Sequence, residues 1–546
     1  MRGQSLFNIT QSYPQFSRSK FPRQLVQYGM KKSNAHNTAI TATAVTALST
    51  AERGLGFLYR IVLSRLIGAE GLGLYQVALS LFGLFVTIGT GGIPITVSRM
   101  ISKSKAERNP LDECRAVSAG VALSLLLTLP VCLFLILFGD KLGFLFTDDR
   151  AFPVFRILLI GLCFSSVYAV FRGSFWGNKQ FLLPSVLELA EESVMVIAGI
   201  LLLNNVSSPA VGAEKAAWAV IISYLFSFTA SFVCFLLRGG KFAKPQTMLK
   251  PLFNATLPIT SVRASASLVN SAVAVLLPIM LLRAGLESSE ALTLFGIVSG
   301  MVIPILFIPS TIIGSLALVL VPQLSEDFYR KNYVRLQTNI KRGLKFSFLL
   351  ACVLIPLFYA LGKDLGSLAF SDDKAGELIS ASAIILLPMS LTMISTSVLN
   401  SMGFEKQTSL FYFMGAAAML LCVLLLPAVC GIYAYLIGLG TSFLLTAVCN
   451  LVFLQKYSAV FQKQRGQVRV HFIFCPLLFI LPLALFGRLI HLLFSLCMST
   501  LPALLCSALI IASATVILYL IAGVLPFSRL KKAVHGIILK RKMKKY

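Results

Sequence analysis

Residues 72–108, LGLYQVALSLFGLFVTIGTGGIPITVSRMISKSKAER, open with 27 residues from Leu72 to Ser98 that carry no charge, and then place Arg99, Lys103, Lys105 and Arg108 close together. A helix rises about 1.5 Å per residue, so the uncharged run exceeds the ~30 Å of a bilayer's hydrocarbon core. It reads as a membrane span that ends in a basic aqueous connection.

The rest of the chain repeats this unit. Its 546 residues are 57% hydrophobic and 13% charged, and the apolar residues fall in blocks of membrane length rather than in amphipathic stripes. Spans are predicted near 38–66, 72–98, 116–138, 151–171, 182–203, 214–237, 252–282, 291–321, 344–361, 377–401, 408–427, 430–455, 471–490 and 500–524. The expected fold class is an all-α polytopic membrane protein of about 14 transmembrane helices.

Basic residues alternate from one connection to the next. The connections at 67–71 and near 428 have none, and the other odd-to-even connections hold one or two: Lys141 with Arg150, Lys215, Arg283, Lys363 with Lys374, and Arg488. Even-to-odd connections are richer: Arg99 to Arg115, Arg172 with Lys179, Arg238 to Lys250, six between Arg330 and Lys345, and Lys456 to Arg469. By the positive-inside rule the rich side is the cytoplasm, with both termini on it, and the location is the inner membrane. This placement accounts for most of the net charge of +27, so the basic tail reads as an orientation signal against anionic lipid rather than a nucleic-acid site.

Other functional classes lack their signatures. The eleven cysteines lie in apolar runs, apart from Cys114 in a basic loop, without metal spacing, and the four histidines are scattered. No catalytic site, metal site or cofactor is expected, and no phosphate-binding loop for ATP is present. Residues 1–29 contain basic and polar residues but no apolar core for a signal peptide. They are expected to be poorly ordered, with Met30 before Lys31 and Lys32 an alternative start.

An internal repeat is visible. Leu72-Gly73-Leu74-Tyr75 has a counterpart in Leu292-Thr293-Leu294-Phe295, and the turn Ser174–Gln180 in Ser401–Gln407, at offsets of 220 to 227. Six spans return the chain to its starting side, so such units are parallel repeats around an axis along the membrane normal, with substrate between them. The expected division is a cytoplasmic segment 1–37, a first lobe 38–237, a linker 238–251, a second lobe 252–455, two added helices in 456–524 and a basic tail 525–546.

Few charges fall inside spans, where each costs roughly 2.5–3.5 kcal/mol on insertion scales and calls for a cavity or a partner. Span 1 holds Glu52, Arg53, Arg60 and Arg65; span 4 holds Arg156; span 5 holds Glu188, Glu191 and Glu192; span 7 holds Arg263. Arg53 and Arg60 share a helix face. They form a candidate cavity-facing cationic pair, and Arg263, on the helix that opens the second half, is a candidate to face the same seam, whereas Arg65, at a helix end, reads as an anchor. Glu52, Glu188, Glu191 and Glu192 are candidates for ion pairing or for proton or cation coupling, with Arg53 and Arg263 as the expected partners of the fifth-span carboxylates. Arg156 is expected to pair with Asp148 or Asp149.

At Glu52–Arg60, Arg65–Tyr75, Arg172-Gly173 with Gly177, Thr256-Leu257-Pro258 with Arg263, and Pro309 through Val321–Glu326, the chain resembles the stage V sporulation protein B group of polysaccharide-biosynthesis membrane proteins. That group lies within the multidrug/oligosaccharidyl-lipid/polysaccharide exporter superfamily, and the resemblance covers roughly residues 38 to 460. It implies a V-shaped bundle of two lobes that moves lipid-linked saccharide precursors to the outer leaflet, with Arg53, Arg60 and Arg263 near a pyrophosphate in the central cavity. The chain departs from the group's pattern at Trp176, Ser193 and Val196.

The expected function is therefore a flippase, not an enzyme, that acts on an undecaprenyl-pyrophosphate-type lipid-linked saccharide amid membrane lipids, as a monomer. An ion-coupled multidrug exporter is the alternative, for which midspan carboxylates argue and midspan arginines do not. A membrane glycan polymerase or ligase fits less well, because the outside connections reach only about a dozen residues.

Overall fold

A computed structural model describes residues 32–138, 143, 146–461 and 471–522. The N-terminal segment 1–29 and the tail 525–546 lie outside the described residues, as do Lys141, Lys463, Arg465 and Arg469. Among the described residues there is no strand. The helices are α1 (Lys32–Thr90), α2 (Ile93–Ala106), α3 (Pro110–Phe138), α4 (Ala151–Gly177), α5 (Leu182–Leu202), α6 (Pro209–Leu237), α7 (Gln246–Arg283), α8 (Ser288–Gly296) and α9 (Ile303–Tyr329). They continue as α10 (Tyr333–Phe370), α11 (Asp373–Ser382), α12 (Leu386–Ser401), α13 (Glu405–Leu425), α14 (Pro427–Cys430), α15 (Tyr433–Phe461), α16 (His471–Cys497) and α17 (Thr500–Ile521).

Each span read from hydropathy coincides with one of these helices or with a joined pair. The first two spans form one helical run that turns at Gly68, whose φ of 71° and ψ of 179° suit glycine alone. α8 passes into α9 through a π-helical stretch, Ile297–Val302. Twelve helical segments among the described residues are long and apolar enough to cross a membrane. One of them, Thr43–Ala106, is 64 residues long and holds both arms around Gly68. α5 falls outside that set because Glu188, Glu191 and Glu192 give it three charges within a span's length. The chain is a multi-pass membrane protein of about 14 spans, and its lipid-facing side chains follow suit: Leu126, Leu137, Leu201, Leu237, Leu478 and Leu509 are each more than two-thirds exposed.

The repeat is written into the backbone. Left-handed residues recur at the connections: Arg108 (φ 55°) and Lys331 (φ 59°) are 223 residues apart, and Lys179 (φ 61°) and Gly403 (φ 84°) are 224 apart. A Cβ on Gly73 would run into the carbonyl oxygen of Leu292, and a Cβ on Gly296 into that of Ala69. Ala69 and Leu292 are also 223 apart, so the two contacts are exchanged by one two-fold operation. Self-complementary contact of this kind is what a two-fold axis produces between copies; here the copies are the two halves of one chain, α1–α6 and α7–α15.

The core divides unevenly. Around the Gly68 turn a single apolar cluster crosses both halves, with Leu72, Tyr75 and Phe82 packed in the same body as Leu292, Phe295 and Met301. Toward the basic connections it gives way to two separate clusters. One contains Ile93, Val97, Phe171 and Leu252, and the other Leu324, Leu336, Val398 and Leu454. The apolar core is thus continuous across both halves at the Gly68 end and divided at the basic end. α16 and α17 pack against α10, where Tyr519 donates to the carbonyl of Cys352 at 3.2 Å.

Candidate functional site

Arg53, Gly56 and Arg60 occupy positions i, i+3 and i+7 on α1, one face of the helix. α5 packs against that face closely enough that a Cβ on Gly56 would lie 2.6 Å from Oε1 of Glu192. The missing side chain is the notch in which this carboxylate sits. Glu192 has Glu52 and Arg60 as electrostatic neighbours, and half-buried Arg60 also faces Tyr75. Arg53 is exposed and makes no ion pair or hydrogen bond among the described residues.

The other carboxylates find different partners from those expected. Glu188 accepts from Nη1 of Arg172 at 3.0 Å, and Glu191 has Ser227 of α6 as a neighbour. Neither Arg53 nor Arg263 bonds the fifth-span glutamates, which corrects the expectation. The cause is the α4–α5 hairpin: Arg172 and Glu188 each stand eight residues from its midpoint at Gln180, so they meet across it. Arg172 lies beneath an aromatic pair, its guanidinium carbon 5.2 Å from the Trp176 ring and 5.9 Å from the Tyr168 ring. The Arg172 Nε and Tyr168 hydroxyl are buried without partners among the described residues. Glu52 completes the group, with Glu188, Arg53 and Arg172 as electrostatic neighbours.

Arg263 serves the seam between the halves. Pro94 carries no N–H, and the chain breaks at Gly91-Gly92 just before it, which leaves carbonyls without helical partners. Nη1 of Arg263 donates to one of them, the Gly91 oxygen, at 2.9 Å. Thr260 accepts from the Gly92 N–H at 3.0 Å, Thr87 donates to Ser267 at 3.3 Å and Ser271 to the Ser80 carbonyl at 2.6 Å. α7 and the second arm of α1 are thus joined along their length.

Two other expectations change. Arg65 donates from Nε to the Ala369 carbonyl at 3.0 Å and from Nη2 to that of Leu368, and so bridges to the second half. Asp148 is bonded by Arg150 rather than by Arg156, with Nη2 2.7 Å from Oδ2 and the Arg150 backbone N–H 2.9 Å from Oδ1. One contact had no local signal in the sequence: His491 of α16 bonds Asp364 of α10 through Nε2 and Ser507 of α17 through Nδ1 at 3.1 Å. Partners 127 residues apart leave no spacing motif to read.

Comparison with known proteins agrees with this architecture. Stage V sporulation protein B of Bacillus subtilis (strain 168) is 25% identical over 371 residues, 65% of this chain and 71% of that protein. The solved structure of the lipid II flippase MurJ in an inward closed conformation superposes with a TM-score of 0.65 at 14% identity, covering 89% of this chain and 99% of that one. An inward-facing multidrug resistance MATE family transporter of the MOP superfamily gives a TM-score of 0.63 at 15% identity, over 78% and 100% of the two chains. The model of the polysaccharide biosynthesis protein family matches residues 38–328, more than half of the sequence, and the chain belongs to that family.

Proposed function

We propose that this protein is a flippase that carries an anionic lipid-linked saccharide from the cytoplasmic to the outer leaflet by alternating access. The basic end faces the cytoplasm, residues 38–237 and 252–455 act as the two lobes about the linker 238–251, and the helices of 456–524 are an addition. The observation that carries the reading is the set of arginines beside the parted end of the bundle. Arg53 has no partner there, Arg60 faces a carboxylate without bridging it, and Arg263 retains donors beyond its bond to Gly91. Unpartnered guanidinium inside a span costs several kcal/mol unless water or an anion meets it. A pyrophosphate head group between the lobes supplies that anion, while its lipid tail stays in the bilayer.

The experiment is transfer of a fluorescent undecaprenyl-pyrophosphate-linked sugar in vesicles containing the purified protein. Arg53→Ala and Arg263→Ala should lose transfer at matched protein amounts; full transfer by both would end the cationic-cavity reading. The second reading, an ion-coupled exporter of cationic compounds, draws on Glu188, Glu191 and Glu192. It predicts that their Gln variants, and not the arginine variants, lose activity.

A further inference from the structure

Two contacts cross between the halves at the closed end, and they are counterparts of each other. Arg65, three residues before the Gly68 turn between spans 1 and 2, reaches Leu368 and Ala369, at the end of α10. Ser288, just after the turn between spans 7 and 8, donates to Asp148 Oδ2 at 3.1 Å and to the Thr147 carbonyl at 3.4 Å, in the connection between spans 3 and 4. Each runs from the first turn of one half to the third-to-fourth connection of the other. They flank the Gly73 and Gly296 contacts, through which the same two-fold relation passes.

The two crossings differ in chemistry. Ser288 offers one hydroxyl, and its acceptor Asp148 is already engaged by Arg150, which also bonds Glu70 at 2.7 Å. Arg65 offers a charged fork to the last turn of the 38-residue α10, whose final carbonyls lack helical partners and carry the negative end of the helix dipole. α10 stops at Ser371 in a left-handed cap, so these acceptors are fixed in place. The same end of α10 is also held by Asp364 to His491 of α16, which in turn bonds Ser507 of α17. Arg65 and Leu368 are both exposed. Ala369 is half-buried, so release leaves no fully buried polar group without a partner, as a reversible contact requires.

From this arrangement we infer that Arg65 is the latch that holds the closed end of the bundle shut, a positioning residue for transport and not a cargo ligand, with Ser288 as its weaker counterpart. The inference rests on the alternating-access reading, in which the closed end must part for cargo to leave. Opening breaks the Arg65 fork and lifts the first arm of α1 off α10. It also exposes Leu72, which is fully buried against Gly300.

The test is the rate at which a maleimide labels a Leu72→Cys thiol in detergent-purified protein. Peptides are resolved by mass spectrometry so that native cysteines do not interfere. Arg65→Ala should raise the rate several-fold, Arg65→Lys less, since an ammonium still suits the helix end, and Ser288→Ala least. An unchanged rate in Arg65→Ala overturns the latch. Should that variant fail to accumulate, the Arg65→Lys rate decides, together with a short thiol crosslink between Asp148→Cys and Ser288→Cys. The crosslink should stop transfer in vesicles, reversibly if its linker is cleaved, and undiminished transfer would count against the latch. Labelling needs no cargo, so its failure sinks the latch alone, whereas loss of the arginine dependence of transfer sinks the flippase reading.

Discussion

Gly73 and Gly296 face each other across the join between the two halves, each pressed against a backbone carbonyl on the other's helix, Leu292 and Ala69 respectively. Only hydrogen at these positions permits the approach. Gly73→Ala and Gly296→Ala should each cost about 1–3 kcal/mol, the usual range for overpacking a closed interface. Because the two contacts are two-fold mates, the losses should be alike. Thermal unfolding in detergent measures both, and a neutral result for either would mean that the helices are not in this contact in solution.

Arg172 and Glu188 are each less than a third exposed. Removal of one partner leaves a charge with little access to water, a change that costs about 3–5 kcal/mol for fully buried pairs and less at this exposure. Arg172→Gln and Glu188→Gln should each lower the melting temperature more than the double variant's cost would suggest if the two added. A double-mutant cycle reads the coupling. Additive losses would show that the pair is not formed.

Much of the fold was legible in the sequence because hydrocarbon is a demanding solvent: length, apolarity and the side on which lysine and arginine fall leave few arrangements open. The repeat was legible too, from Leu72–Tyr75 and its counterpart at Leu292–Phe295. The partners inside the bundle were not. Arg172 was counted with a connection because span 4 was ended at residue 171, while α4 runs on to Gly177 and takes it inside. Arg65 was read as an anchor because its acceptors are backbone carbonyls, which no residue type announces. Hydropathy picks out Arg53, Arg60 and Arg263 as charges within helices, but a sequence does not say which of them remain without a partner.

The loop at residues 146–150 offers a pH test. Hydrogen bonds from the Arg150 guanidinium and N–H, with help from Ser288, hold the Asp148 carboxyl below the ordinary aspartate range. A depressed value means that the unfolded chain takes up protons first, so the stabilisation is complete above about pH 4 and is lost as the pH falls through the lower folded value. Asp148→Asn should therefore melt below the parent at pH 7, and the gap should narrow only under acid conditions below about pH 4. A gap that closed between pH 6 and 8 would assign the effect to another group.

Arg263 distinguishes charge from geometry. A flippase must let its cargo go, which favours attraction over a fixed bidentate grip. Arg263→Lys should keep substantial transfer and Arg263→Gln should not, at equal protein levels by immunoblot. Equal activity of the two would show that positive charge is not what matters there. Loss in both would point to the bond with the Gly91 carbonyl as the essential contact.

The seam at Gly91-Gly92 can be compared with its repeat mate. A Cβ on Gly91 would lie 3.4 Å from the Thr260 Cα and one on Gly92 2.6 Å from the Thr256 carbonyl, whereas one on Gly314, the repeat mate of Gly91, would meet nothing within 4 Å among the described residues. Gly92→Ala should destabilise by about 1–3 kcal/mol. Gly314→Ala should be neutral or slightly stabilising, by up to ~1 kcal/mol, since alanine suits a helix interior better than glycine. Equal destabilisation by both would mean that the second seam is packed as tightly as the first.

That inequality gives the molecule a front and a back. A bundle two-fold symmetric throughout would present two equivalent flanks to the bilayer, and a tailed cargo would have no preferred way in. Here the flank stitched by Ser271, Ser267, Arg263 and Thr260 is shut, while on the other Gly314 has no side chain or backbone of another element within contact among the described residues. Under the proposed function, a cargo whose head travels inside while its hydrocarbon stays outside would enter by the unstitched flank alone, and each molecule would be threaded in the same orientation.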